Sequence, residues 1–133
     1  MDEIKKSPLL LIADDDPELT GILLKRLQDL DCEIITAPNG NKALEIIRDK
    51  HPDVVILDVM MPQKNGWEVC KSIRQDPDIA KTGVIMLTGI GANLNEMTSP
   101  LYGADEYLDK PFSFSELTFK IKRLLSNKSR LSQ

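Results

Sequence analysis

"DVVILD", residues 53–58, decides the fold. Four apolar residues stand between two aspartates, with no polar residue among them. A strand with one wet face alternates apolar and polar side chains. An unbroken apolar run of this length reads instead as a strand buried on both faces, the central position of a parallel sheet.

Similar runs flank it at regular intervals. "LLLIA" (9–13), "EIITA" (33–37), "GVIMLT" (83–88) and "EYLD" (106–109) read as four more strands. Between them the period changes. Leu19, Ile22, Leu23, Leu27 and Leu30 recur at helical spacing behind Asp16, a capping residue, and Pro17, whose missing N–H costs nothing in a first turn. Ala43, Leu44 and Ile47 follow a candidate cap at Asn39. A third helix is expected near residues 66–75. "SFSE" (113–116) has capping-box spacing before the stripe Leu117, Ile121, Leu124 and Leu125. Between Gly89 and Gly103 the helical signal is weak. Five strands thus alternate with five helices on short connections, which predicts an α/β fold with a parallel sheet and helices on both faces.

Length and composition fit one domain. The chain has 133 residues, 41% of them apolar, enough for a sizeable core. The expectation is a single domain over 1–133, with a core of about residues 8–126 and a polar stretch at 127–133 that serves as a tail or the start of a linker. No apolar run approaches the ~20 residues of a membrane span, and the N-terminus lacks a secretory cleavage pattern. Two cysteines, Cys32 and Cys70, are too few for a disulfide scaffold, so a cytoplasmic setting is expected. Seventeen basic against 21 acidic side chains leave a net charge of −4, which argues against direct nucleic-acid binding. The one histidine, His51, precedes Pro52 at an expected helix end and reads as a plain surface or capping residue. It is not read as a metal ligand.

In a parallel α/β sheet, ligands bind beyond the carboxyl ends of the strands. Those ends are chemically unusual here. The first carries Asp14 and Asp15, the third Asp58, the fourth Thr88, and the fifth runs into Lys110 and Pro111. Like charges placed side by side repel, and more so where water is excluded. Three carboxylates, a hydroxyl and an ammonium are the ingredients of a hard-cation site and of phosphoryl transfer, in which a carboxylate can act as the nucleophile. No G-x-x-x-x-G-K-[ST] loop is present, so the phosphoryl group must arrive from elsewhere. Asp16 is read as the helix cap rather than a direct ligand.

With "LLIADDDP", "VVILDVMMPQKNGWEV", "VIMLTG" and "GADEYLDKPF" in order, the chain resembles the receiver domains of two-component response regulators over about residues 8–126. The resemblance implies a doubly wound, flavodoxin-like sheet of order 2-1-3-4-5. It implies that Asp58 accepts a phosphoryl group from a phosphohistidine on a sensor histidine kinase or phosphotransfer protein. It implies a Mg²⁺ cofactor held by Asp14, Asp15, Asp58 and the backbone carbonyl of Met60. Thr88 would be the switch hydroxyl and Lys110 the phosphoryl-pairing cation, followed by a cis Lys110–Pro111 bond. Tyr107 would be the aromatic that reorients on activation. Such a domain catalyses its own aspartyl phosphorylation and dephosphorylation, turns over no separate substrate, and signals by contact to a downstream protein or fused output domain, as a monomer or a phosphorylation-dependent dimer. It engages neither nucleic acid nor membrane directly.

Two other classes compete. A degenerate receiver acting only as a binding module would not need Asp14, Asp15, Asp58, Thr88 and Lys110 together. A haloacid-dehalogenase-type phosphatase would carry a second acid two residues past its nucleophile, where this chain has Met60. The chain departs from the receiver pattern in "GANLNEMTSPLYGADEY", where Pro100 should shorten, kink or restart the helix before the fifth strand, and the segment from Gly89 to Tyr102 is expected to be the most mobile part of the fold. Met60 and Ile90, both apolar, flank the expected approach of the hydrolytic water in the resembled family, which predicts a long-lived phosphorylated state.

Overall fold

The computed structural model describes residues 7–89 and 103–131, with side chains through residue 126. The segment holding Ile90 and Pro100, and the expectations attached to it, lie outside the described residues. Strands β1 (Leu9–Ala13), β2 (Glu33–Ala37), β3 (Val54–Asp58), β4 (Gly83–Thr88) and β5 (Glu106–Asp109) alternate with helices α1 (Pro17–Leu27), α2 (Gly40–Lys50) and α3 (Gly66–Gln75), and α4 (Phe114–Leu131) follows β5. The strands form one five-stranded sheet of order β2-β1-β3-β4-β5, and every pairing is parallel. That is the flavodoxin-like order the resemblance implies.

β3 is central, and all its residues are buried. Successive strand residues point to opposite faces, so its apolar run feeds two cores. Val55 and Leu57 join Leu11, Val84 and Met86 under Ala43, Leu44 and Ile47 of α2 and Val69, Cys70 and Ile73 of α3. Val54 and Ile56 join Leu10, Ile12, Ile85 and Leu87 under Leu23 and Leu27 of α1 and Leu117, Ile121 and Leu124 of α4. Burying both faces is what an unalternating strand requires.

The helix ends have local causes. Asp16 accepts the N–H groups of Glu18 and Leu19, with Pro17 as the first helical residue. Asn39 accepts from the Lys42 N–H at 2.8 Å. His51 closes α2 in the left-handed conformation, φ 52°, its N–H donating to the Ile47 carbonyl. The Ser113 hydroxyl oxygen accepts the Glu116 N–H at 3.0 Å, and α4 continues through Leu131 into the polar stretch. Asp53 stands just before β3, where its carboxylate accepts the Leu9 N–H at 2.8 Å and its carbonyl accepts from Gly83 at 3.0 Å, so it aligns three strand starts.

Candidate functional site

Register brings the strand ends together. Ala13 pairs with Leu57 across β1 and β3, so the next residues, Asp14 and Asp58, are neighbours. Asp58 pairs with Leu87, one residue before Thr88, and Thr88 pairs with Asp109. The Lys110 N–H then donates to the Thr88 carbonyl at 2.7 Å, which returns the lysine to the same rim. The peptide bond from Lys110 to Pro111 is cis.

The resulting cluster is compact. Asp14, Asp15 and Asp58 each present a carboxylate oxygen, all within 4.8 Å of one another. Asp14 and Asp58 are buried and Asp15 is exposed. Lys110 Nζ lies 3.3 Å from Asp58 Oδ1 and 3.7 Å from Asp14 Oδ2. Asp14 Oδ1 accepts the Asp16 N–H at 2.9 Å, whereas the buried Asp14 Oδ2 has no hydrogen-bond partner. Lys110 is close enough to attract that oxygen but not to satisfy it.

Electrostatics set Asp58 apart. Its carboxyl is pushed up to about 6, first by burial and then by the Asp14 carboxylate. The Lys110 ammonium and the Met60 N–H, which donates to Asp58 Oδ1 at 3.4 Å, act in the opposite direction. A buried carboxylate held beside a second one, with Lys110 as the single cation beside them among the described residues, lacks positive charge. Hard oxygen donors and an unsatisfied buried oxygen fit a hard divalent cation, so the cluster is capable of coordinating one.

The other residues singled out in the sequence lie on this rim or close to it. Thr88 is fully buried at the end of β4. The Met60 side chain points outward and is 67% exposed, so only its backbone faces the cluster. Tyr107, the β5 partner of Met86, packs its ring 6.0 Å from that of Trp67 at the start of α3.

The loop from Val59 to Asn65, which follows Asp58, is more constrained than its sequence suggests. The Gly66 N–H donates to the Val59 carbonyl at 3.0 Å, and a Cβ on Gly66 would come within 2.6 Å of the Asp58 carbonyl oxygen. Asn65 and Glu68 form a full capping box, which the N-x-x-E spacing could have disclosed. At the opposite end of the sheet, Arg74 donates to the carbonyls of Gly103, Ala80 and Thr82 and pairs with Asp105 at 2.9 Å, a clamp no local pattern announces.

Comparison with known proteins gives a consistent picture. Residues 10–122 match the family described as the response regulator receiver domain. The chain is 42% identical over 125 residues to a "Probable transcriptional regulator ycf27" of Galdieria sulphuraria, covering 94% of this chain and 48% of that protein. It is 41% identical over 116 residues to the transcriptional regulatory protein CpxR of Escherichia coli (strain K12), covering 87% and 48%. Among solved structures, a putative response regulator from Chloroflexus aurantiacus J-10-fl aligns with a TM-score of 0.85 at 35% identity, covering 91% of this chain and 99% of that one. The chain spans about half the length of the curated relatives it matches.

Proposed function

The chain belongs to the response-regulator receiver domain family, and we propose that within its phosphorylation-based signalling Asp58 is the residue that takes the phosphoryl group. The observation that carries this reading is the place of Asp58: last residue of the central strand, buried, 3.3 Å from Lys110 and within the three-carboxylate cluster.

An Asp58 carboxylate oxygen forms the new bond to phosphorus while the P–N bond of a phosphohistidine breaks, its electron pair leaving with the imidazole nitrogen. The donor is a sensor histidine kinase or a phosphotransfer protein. Lys110, already at Asp58 Oδ1, pairs with the incoming phosphoryl oxygens, and the Thr88 hydroxyl donates to another. Asp14, Asp15, Asp58 and the Met60 carbonyl would hold Mg²⁺. When bound, it offsets the charge of a phosphoryl dianion added beside two carboxylates. Hydrolysis of the acyl phosphate returns Asp58 to its starting state, so the domain catalyses its own reset.

Output follows from Thr88 and its neighbours. As Thr88 turns toward a phosphoryl oxygen, space near the end of β4 changes, and Tyr107, packed beside Trp67, reorients to fill it. The altered surface meets a downstream protein or a fused output domain. The relatives named as transcriptional regulators support the second of these. No helix among the described residues is long and apolar enough to cross a membrane, and no disulfide joins Cys32 to Cys70; both fit a cytoplasmic setting.

The test is labelling with a small phosphodonor in Mg²⁺, followed by peptide mass spectrometry. The acyl phosphate is expected on Asp58 and absent from Asp58→Asn. Undiminished labelling of that variant would defeat the assignment.

A further inference from the structure

The loop after Asp58 contains one backbone outlier. Gln63 sits at φ 71°, a region L residues with side chains seldom occupy. The Lys64 N–H donates to the Pro62 carbonyl at 2.8 Å across it, which makes a tight three-residue turn centred on a non-glycine residue. Turns of this kind are strained and persist only where the surroundings hold them.

Those surroundings are the first turn of α2. Asn41 Nδ2 donates to Gln63 Oε1 at 2.9 Å. Directly beside it, Gly40 lies so close to the loop that a Cβ there would stand 1.8 Å from the Lys64 carbonyl oxygen. The loop is therefore held at both ends of its second half, by Gly40 and Asn41 at 63–64 and by Gly66 against the Asp58 carbonyl. Its first half contains Met60, whose N–H reaches Asp58 Oδ1. A side chain at 40 would push the Lys64 carbonyl away, and loss of the amide at 41 would remove the hydrogen bond that holds Gln63.

We propose that Gly40 and Asn41 are positioning residues for the phosphorylation site, acting through the strained turn at Gln63 to set the Met60 backbone against Asp58 and the cation. This inference rests on the reading of the acidic cluster as a Mg²⁺ site. Neither residue touches the reacting atoms. Asn41 is exposed on a helix surface, where an isolated side-chain hydrogen bond would otherwise have no bearing on the chemistry of the cluster.

The experiment compares the parent, Asn41→Ala, and Asn41→Ala combined with Gln63→Gly. Glycine accepts positive φ without strain, so it should keep the turn once the strap is gone. Two measurements are made: hydrogen exchange of the Lys64 amide without metal, and calorimetric titration with Mg²⁺ alone. Asn41→Ala should exchange the Lys64 amide faster and bind Mg²⁺ about tenfold more weakly, the low end for losing outer-shell support at a metal site. The double variant should return to within about twofold of the parent. Parental Mg²⁺ binding in Asn41→Ala would overturn the proposal. So would a weakening that Gln63→Gly leaves uncorrected, because Asn41 would then not act through the turn. A parent that binds no Mg²⁺ would overturn the metal reading instead, and the strap would stand or fall on Lys64 exchange. Gly40→Ala should reproduce the effect of Asn41→Ala at the same turn, and its unfolding curve separates displacement from misfolding.

Discussion

Lys110 Nζ lies 3.3 Å from Asp58 Oδ1, although one residue follows an outer strand and the other ends the central one. The contact exists because parallel pairing stacks β3, β4 and β5 in register and the Thr88 carbonyl then captures the Lys110 N–H. Lys110 is the cation that opposes the rise of the Asp58 carboxyl. Lys110→Met should therefore move the titration midpoint of Asp58 in metal-free protein above about 6, as read by carboxyl-carbon NMR. It should also slow labelling by a small phosphodonor about 10²-fold, the scale for losing one preorganised donor to developing charge. An unmoved midpoint would mean that the ammonium does not face Asp58 in solution.

Stability without metal should fall as pH rises through the same window. Asp58 titrates near 6 in the folded chain, against 3.8 for an unhindered side chain. Between those values the folded state binds more protons than the unfolded one, so unfolding becomes easier with increasing pH. The contribution is fully present below about pH 4, is lost by about pH 6, and amounts to something on the order of 2–3 kcal/mol. Asp58→Asn removes it. The variant should be more stable than the parent in metal-free buffer at pH 7 and should lack this fall between pH 4 and 6, as measured by urea unfolding. A parent whose stability climbs across that interval would contradict the electrostatic account of the cluster.

Much of this was legible in the sequence because its causes are local. Unalternating apolar runs announced a parallel sheet, Asp16 with Pro17 announced the start of α1, and the charged strand ends announced where the chemistry would gather. The less legible parts depend on where distant segments meet. Nothing near Arg74 discloses that its guanidinium will collect three carbonyls and Asp105. Nothing near Gly40 shows that Lys64 will press against it. Trp67 and Tyr107, 40 positions apart, are neighbours only through tertiary packing. The Asn65 cap is the exception, since its spacing to Glu68 is a local signal.

Gly66 is required by space rather than by backbone freedom. A methyl there would meet the Asp58 carbonyl oxygen at 2.6 Å and the Met86 sulfur at 3.0 Å. The sulfur belongs to an adaptable side chain, but the carbonyl is part of the central strand and cannot yield without moving the acceptor. Gly66→Ala should cost about 1–3 kcal/mol, the range for forced overpacking, and should lower the labelling rate of Asp58 in whatever fraction remains folded. Urea unfolding and single-turnover labelling measure the two effects. A variant with parental stability would show that α3 can slide away from Asp58 freely.

The three adjacent aspartates should separate by role when removed singly. Asp16 Oδ1 already accepts from Glu18 and Leu19 at 3.0 and 3.4 Å, so its carboxylate is engaged at the start of α1, where negative charge is favoured. Its backbone N–H, which holds Asp14 Oδ1 at 2.9 Å, survives replacement of the side chain. Asp16→Ala should thus lose about 0.5–2 kcal/mol of stability for the missing cap while Mg²⁺ affinity changes little. Asp15 is exposed and belongs to the carboxylate cluster. Asp15→Ala takes one negative ligand from the site, so its Mg²⁺ affinity should drop by at least about tenfold, since the charge of the ligand set governs affinity for hard cations. Its stability in metal-free buffer should not fall with it, because the side chain removed was a source of repulsion. Calorimetric Mg²⁺ titration and urea unfolding of both variants decide the matter. Equal loss of metal in the two would mean that Asp16 leaves its helix to join the site, and the separation of capping from coordination would have to be abandoned.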